Sequence, residues 1–223
     1  DIHLNLADIS GMKYEKDNAF LDAIDNLNHQ LKTISKNNLS SKKLYNLIDK
    51  LYLQGKEIIK FVDDGGSLFG DVQKFMGDAL KLKGDVCETT GLHYLTAMNC
   101  YNDDDDLENA AECALLSTKI WQKLYFCERK KIFGEKWYEA QLVYTECEQK
   151  DSSRAVGMYY LGAIASLLSK QEKNGTRKIL LERSAKKAYK HFISFFIHHE
   201  KNDFINQKLN LANKYLRYER KNR

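Results

Sequence analysis

The sequence predicts an all-α protein of about nine antiparallel helices, arranged as a helical bundle or an α-solenoid. Three observations favour this fold class. The 223 residues contain no proline, apolar residues recur at intervals of three and four, and the composition of 43% hydrophobic and 30% charged residues is globular. Edge strands and rigid linkers usually use some proline, whereas helix interiors exclude it. A chain of this length can bury one sizeable core, so we predict a single domain over residues 1–223.

The first four helices are predicted from apolar stripes and from the turn residues between them. A helix from Asn18 is followed by a second helix that Ser40 or Ser41 can cap. Ser67 begins a third helix after an Asp-Asp-Gly-Gly break, and we expect Gly91 to separate it from a shorter fourth helix. The stripes of the first three helices run, in order, from Phe20 to Ile34, from Leu44 to Phe61 and from Leu68 to Val86.

The acidic run Asn102-Asp103-Asp104-Asp105-Asp106 precedes the apolar stripe of a fifth helix that starts at Leu107. Carboxylates at a helix N-terminus accept hydrogen bonds from its free N–H groups and oppose the positive end of the helix dipole. We therefore expect the last members of the run to cap the fifth helix. The run lacks the glycine and glutamate that a calcium loop requires, so calcium binding is not predicted.

Four more helices complete the predicted architecture. They are Trp137 to Cys147, a helix from the Asp151-Ser152-Ser153 cap to Lys173, a helix that Thr176 opens, and a helix that Asp203 caps. We expect Asn174-Gly175 to end the seventh of the nine helices. Helices joined by short polar turns bury their apolar stripes by packing antiparallel to their neighbours, which is typical of bundles and solenoids.

The cysteines and the hydropathy pattern indicate an intracellular protein, cytoplasmic or nuclear. The cysteine count is odd and the spacing contains no close pair, so we expect reduced thiols rather than a disulfide framework or a zinc site. The longest uncharged run, residues 155–169, is too short for a bilayer span, and no signal peptide is visible. The cysteines are Cys87, Cys100, Cys113, Cys127 and Cys147.

No pattern of chemistry-bearing residues points to catalysis, so we predict a protein that is not an enzyme and that holds no cofactor and no metal. His191 and His198 could share a helix face, but no glutamate stands at the spacing that helical di-metal sites use. The stretch Asp64-Gly65-Gly66-Ser67 lacks the lysine of a phosphate-binding loop and is explained by a turn. Motifs of hydrolases and of nucleotide-binding folds are absent from the sequence.

Net charge is distributed unevenly along the chain. Residues 1–150 hold 19 Lys and Arg against 25 Asp and Glu, whereas residues 151–223 hold 16 against 6. Such a basic segment favours an acidic protein, a nucleic acid or an anionic surface as partner, and a solvated helix face is the simpler interpretation. The candidate partner-binding residues in this segment are Lys186, Lys187, Lys190, Lys214, Arg217, Arg220 and Lys221.

Aromatic residues supply the other candidates for partner binding. Tyrosine suits both helix packing and protein contact, because its ring is apolar and its hydroxyl is polar. Tyr94, Tyr101 and Tyr144 are the candidates outside the basic segment, and packing inside the core is the alternative for each.

Residues 79–101 resemble one helical hairpin of the tetratricopeptide family. The resemblance rests on Ala79 with the stretch Leu80-Lys81-Leu82-Lys83-Gly84-Asp85, followed by Gly91, Ala97 and Tyr101. It implies paired helices that approach closely at glycine and alanine, stacked to form a groove for peptides or partner helices. The implied function is a non-catalytic scaffold or adaptor that binds a segment of another protein.

A second resemblance leads to an alternative function. Phe75-Met76, Ala79, Leu82-Lys83 and Tyr94-Leu95-Thr96-Ala97 are similar to the C-terminal homology domain of transcription-elongation scaffolds related to fragile-X proteins. This resemblance implies a nuclear dimeric scaffold. Together with the basic C-terminal helices it makes nucleic-acid binding or homo-oligomerisation the alternative to binding another protein.

Overall fold

The computed structural model describes residues 13–36, 41–199 and 202–221, with side chains described over 18–36, 42–199 and 202–218. Over these residues the chain forms nine helices and no strand, which confirms the all-α prediction. The helices are α1 (Lys13–Lys36), α2 (Ser41–Ile58), α3 (Ser67–Lys83), α4 (Glu88–Asp103), α5 (Leu107–Glu128), α6 (Lys131–Cys147), α7 (Asp151–Gln171), α8 (Gly175–Phe196) and α9 (Asp203–Lys221).

Several helix ends follow the expected chemistry. The carboxylate of Asp106 accepts a hydrogen bond from the N–H of Asn109, so the acidic run caps α5 as predicted. Asp104 of the same run caps a different helix, because its Oδ2 accepts a hydrogen bond from the N–H of Ser67 at 2.6 Å, at the start of α3. Ser40, one of the two residues expected to cap α2, lies outside the described residues.

Gly91 does not separate α3 from α4, which corrects the prediction. Gly91 is buried in the first turn of α4, whereas Gly84 ends α3 with a left-handed backbone at φ 88°. The N–H of Gly84 bonds to the carbonyl of Lys81, and that of Asp85 bonds to the carbonyl of Leu80. Glycine adopts this conformation without the Cβ clash of other residues, and a glycine inside a helix weakens it without ending it.

The ends of α7 also differ from the prediction. Helix α7 begins after Lys150 without a side-chain cap and ends at Gln171 rather than Lys173. Gly175 is the first residue of α8, and Asn174 caps that helix by accepting a hydrogen bond from the N–H of Arg177. The Asn-Gly pair therefore starts a helix, because the asparagine side chain satisfies a free donor of α8. Helix α6 also begins earlier than expected, at Lys131.

The described helices divide into two compact units, residues 1–105 and 106–223, and each is described by itself. The interpretation of residues 1–223 as one domain stays a prediction. In the first unit, α1, α2 and α3 share an apolar core that includes Phe20, Ile48 and Phe75, and α4 packs along α3. In the second unit, α5 packs on α6, α6 on α7, α7 on α8 and α8 on α9, so each helix contacts mainly its neighbours in the chain within that unit.

Candidate partner-binding surface

Tyr94 and Tyr101 lie in the packed interface between α3 and α4, not on a surface. Both side chains are buried, and their hydroxyls donate hydrogen bonds to Asp78 and Asp71 on α3. The Tyr94 oxygen lies 2.7 Å from Oδ1 of Asp78. The rings are therefore unavailable to a partner in this conformation, and these two tyrosines hold a helical hairpin together.

A repeated Gly-Asp pair explains how these tyrosines fit, and the sequence interpretation missed it. Gly-Asp occurs at residues 70–71, 77–78 and 84–85, at intervals of seven. Residues seven apart lie close to one line along a helix. The first two glycines face the rings of Tyr101 and Tyr94, and the aspartate beside each accepts a hydrogen bond from the tyrosine hydroxyl.

A polar network joins three helices of the first unit. The Tyr52 hydroxyl on α2 lies 3.0 Å from Nε2 of His93 on α4, whose Nδ1 lies 2.6 Å from Oε1 of Gln73 on α3. An amide oxygen only accepts, so the Nδ1 atom carries the proton and Nε2 accepts from Tyr52. Burial, and then the ammonium of Lys56, lowers the pKa of His93 to about 4. The imidazole is therefore a neutral structural group.

Tyr144 is the tyrosine candidate that lines open space. Its ring is mostly buried on α6, but it lines two neighbouring cavities of about 510 and 420 Å³. The Tyr144 hydroxyl donates to Oε2 of Glu148 at 3.0 Å, and burial, with the Glu148 carboxylate, raises the pKa of Tyr144 to about 12. Tyr144 is therefore a neutral hydrogen-bonding group at physiological pH.

The basic candidates lie on the last two helices. Lys187 and Lys190 on α8 and Lys214 and Arg217 on α9 are exposed, and Lys186 is partly buried. The rings of Tyr189 on α8 and Tyr215 on α9 contact each other with centroids 5.0 Å apart, within one helical turn of Lys186, Lys190 and Lys214. Arg220 and Lys221 lie outside the residues whose side chains the structure describes.

These five basic side chains make no ion pair with any carboxylate in the described part of the chain. Arg177, near the start of α8, behaves differently, because it contacts the carboxylates of Glu135 and Glu172. Among the described side chains, the positive charge farther along α8 and on α9 therefore has no carboxylate within ion-pair distance. Such a field attracts anionic partners over about 10 Å at moderate salt.

An exposed apolar stripe runs along α9, next in sequence to Lys214 and Arg217 of the same helix. Phe204, Leu211 and Tyr218 are 45%, 48% and 66% exposed and are seven residues apart. The spacing places them on one line along the helix. Lys208 lies over the ring of Phe204 at 5.2 Å and over that of Tyr159 at 4.9 Å. We call these three apolar residues and the five basic residues of the preceding paragraphs the α8–α9 surface.

The described part of the chain contains no group of three or more His, Cys, Asp or Glu side chains placed to hold a metal ion. Among the described helices, none is both long and apolar enough to cross a membrane.

No family model, curated protein or solved structure matches the sequence.

Proposed function

We propose that this protein is a non-catalytic scaffold or adaptor, cytoplasmic or nuclear, that binds a segment of another protein. The observation that carries the proposal is the α8–α9 surface, where an exposed apolar stripe accompanies positive charge that has no described carboxylate within ion-pair distance. The partner chemistry that fits it is an amphipathic helix with an apolar face and acidic flanks. The helix-by-helix packing of α5 to α9 and the close contacts at glycine support a tetratricopeptide-like role.

The length of the apolar stripe fits a partner helix better than a small ligand. From Phe204 to Tyr218 the stripe spans 14 residues, which is roughly 21 Å of helix at 1.5 Å per residue. A partner helix that places apolar residues at intervals of three and four can bury that length against α9. Acidic residues on both sides of its apolar face would then lie near Lys208 and Lys214.

The two parts of the surface have different roles in the proposed mechanism. Burial of Leu211 and its apolar neighbours supplies affinity, because transfer of apolar area from water is the main favourable term in association. The basic residues speed the encounter and reject basic partners, while contributing less to affinity.

The proposal is tested by a tagged pull-down from native lysate with mass spectrometry, comparing wild type with two variants. One variant reverses Lys187, Lys190 and Arg217 to glutamate, and the other is Leu211→Asp. Folding should be nearly intact in the charge variant, because exposed charges contribute only about 0 to 1 kcal/mol each. It should also be nearly intact in Leu211→Asp, because the leucine side chain is 48% exposed. A discrete partner should be recovered by wild type and lost from both variants.

A matched control reverses the same number of exposed lysines outside the α8–α9 surface: Lys32, Lys50 and Lys123. Recovery should be unchanged in this control. If the control and the surface variants lose the partner equally, the charge effect is nonspecific and the proposal is wrong.

Nucleic-acid binding or dimerisation, the alternative predicted from the sequence, uses the same basic residues. Base stacking would require exposed rings, and Tyr218 is exposed whereas Tyr189 is buried and Tyr215 is half-buried. A titration with a generic oligonucleotide at increasing salt separates the two functions, because phosphate contacts give a steep loss of affinity with salt. Sedimentation of the free protein reports dimerisation.

A further inference from the structure

A groove follows one face of α5 in the second unit. The two cavities of about 510 and 420 Å³ share Leu115 and Tyr144 in their linings, so they form neighbouring parts of one groove. The residues that α5 contributes recur at helical spacing: Glu108, Ala111, Glu112, Leu115, Thr118, Lys119 and Gln122. We call this feature the α5 groove. It extends for roughly 21 Å, the length of 14 helical residues.

The lining of the larger cavity includes a residue whose hydroxyl is buried and has no partner. Thr118 lines this cavity, its side chain is 6% exposed, and its Oγ1 makes no hydrogen bond in the structure. A buried hydroxyl without a partner costs roughly 1–3 kcal/mol, and buried polar groups nearly always have one. An occupant of the cavity that offers a carbonyl or N–H group would satisfy this hydroxyl.

The centre of the groove is held rigidly by the packing of α6 on α7. A Cβ atom at Gly157 would lie 2.9 Å from Cε1 of Tyr144, so glycine is what lets the ring take its place. Gln141 donates a hydrogen bond to the carbonyl of Gly157 at 3.2 Å. The Glu148 carboxylate holds the Tyr144 hydroxyl and accepts the N–H of Lys150. A preformed site loses little conformational freedom on binding.

The two ends of the groove differ in charge. Glu108, Glu112 and Glu148 line the smaller cavity, with Lys150 as the only basic residue in its lining. The larger cavity has no carboxylate in its lining, and Lys119 is the one charged residue there. One end of the groove therefore favours a cation, and the other presents apolar and neutral hydrogen-bonding groups together with Lys119.

We propose that the α5 groove binds an extended, basic peptide segment of a partner protein. A Lys or Arg side chain would contact the three glutamates, apolar side chains would cover Leu115, and the peptide backbone would bond to Thr118. Six extended residues span about 20 Å, which matches the groove. This site and its basic partner are independent of the α8–α9 surface, which fits an acidic partner.

The test uses a fluorescein-labelled six-residue peptide with Lys at two positions in one half and Leu at two positions in the other, and a peptide with Glu in place of Lys for comparison. Fluorescence anisotropy should show saturable binding of the Lys peptide and not of the Glu peptide. The double variant Glu108→Gln with Glu112→Gln should weaken Lys-peptide binding about three- to tenfold. The matched control, Glu146→Gln with Glu182→Gln, changes net charge equally outside the groove and should bind as wild type.

Thr118→Val separates a ligand-binding role from a structural one. Valine removes the unpartnered hydroxyl at nearly constant shape, so it should raise the urea midpoint of unfolding. The same variant should weaken peptide binding about fivefold, because the peptide loses a hydrogen bond. Loss of binding in a more stable protein is not expected from a purely structural threonine.

Three results would overturn the proposal: no saturable binding of the Lys peptide, equal binding of the Glu peptide, or unchanged binding by either groove variant. Leu211→Asp, which disables the α8–α9 surface, should leave binding of the Lys peptide unchanged. Failure of one site is therefore distinguishable from failure of the other.

Discussion

Gly77 on α3 lies directly against the ring of Tyr94 on α4, and a Cβ atom at Gly77 would come within 2.9 Å of the ring atom Cε1. The Tyr94 side chain cannot easily retreat, because it is fully buried and its hydroxyl bonds to Asp78. The same relationship recurs in the second unit, where Gly157 faces Tyr144 and Gly162 faces Tyr189. Glycine against tyrosine is thus a repeated means of bringing neighbouring helices close together.

Gly77→Ala should lower the free energy of unfolding by about 1–3 kcal/mol, because the added methyl overpacks the contact with Tyr94. This loss should exceed the gain of about 1 kcal/mol in helix propensity. Gly175→Ala is the matched control, since a Cβ atom there meets no atom within 4 Å. Urea denaturation measures both. An unchanged midpoint for Gly77→Ala would show that the α3–α4 contact relaxes freely.

Ala97→Leu tests the close helix contact predicted from the sequence. Ala97 is fully buried on α4, so a leucine must displace its neighbours. We expect a loss of roughly 1–3 kcal/mol in the free energy of unfolding. Thermal and urea unfolding measure the loss, and Asn99→Leu on the exposed side of α4 is the control. Equal stability of the two variants would contradict the expected packing.

Stability should fall as the pH is lowered from 6.5 to 4, in part because of His93. The pKa of His93 is lowered from 6.5 to about 4 by burial and by Lys56. Between these values the unfolded chain binds more protons than the folded one, so acidification favours unfolding by about 1.4 kcal/mol per pH unit for one such group. Above pH 6.5 His93 is neutral in both the folded and the unfolded chain, so it no longer makes stability depend on pH.

His93→Gln should be less sensitive to pH over that window, because glutamine does not titrate. Urea unfolding of wild type and variant at pH 7 and pH 5 measures the difference. If wild type and His93→Gln lose the same unfolding free energy between pH 7 and pH 5, other groups account for the pH dependence.

Glu172 should stabilise the fold at neutral pH and lose that effect in acid. The N–H of Asn174 and the ammonium of Lys131, each 3.0 Å away, lower the pKa of Glu172 to about 2 from 4.5. A group with a lowered folded pKa contributes its full stability above pH 4.5, and the contribution falls as the pH drops toward 2. Glu172→Gln should therefore have a lower free energy of unfolding than wild type at pH 7. The difference in unfolding free energy between the two proteins, measured by urea denaturation, should be smaller at pH 2.5.

Disulfide bonds should contribute nothing to the stability of this protein. All five cysteines are described, and none forms a disulfide; Cys127 is exposed, Cys87 is half-buried and the other three are buried. Thermal unfolding with and without reductant should give the same midpoint. A thiol reagent should label Cys127 first, because reaction requires an accessible thiolate and burial raises the pKa of Cys100 and Cys147. A lower midpoint in reductant would contradict this expectation.

The helices were predictable because their signals are local. Apolar spacing and the absence of proline predict helix type, and the structure places α2 and α3 at the expected starting residues. Asp203 was wrongly predicted as the cap of α9: it is the first residue of that helix, and Asn202 caps it by accepting a hydrogen bond from the N–H of Ile205. Asp106 was predictable as a cap because its carboxylate bonds to a donor three residues away. Gly91 was wrongly predicted as a break, since a glycine ends a helix only where the backbone turns left-handed, as at Gly84.

The candidate site was only partly predictable. The basic residues of α8 and α9 were found from composition, because charge is usually exposed. Tyr94 and Tyr101 were candidates on residue type alone. The Gly-Asp pairs of α3, seven residues apart, were the sequence signal that these two tyrosines of α4 are buried against that helix. The apolar stripe of Phe204, Leu211 and Tyr218 could not be recognised as exposed, since its spacing is also that of a core-facing stripe.

The sequence by itself determined the helical class and most of the turns, because backbone propensity, capping and apolar periodicity act over a few residues. Only the tertiary structure decided which stripe stays exposed, which tyrosine fits against which glycine, and that the Thr118 hydroxyl is left without a partner. Those features depend on which helices meet and how closely they approach. That choice comes from packing between residues distant in the chain, which local periodicity does not encode.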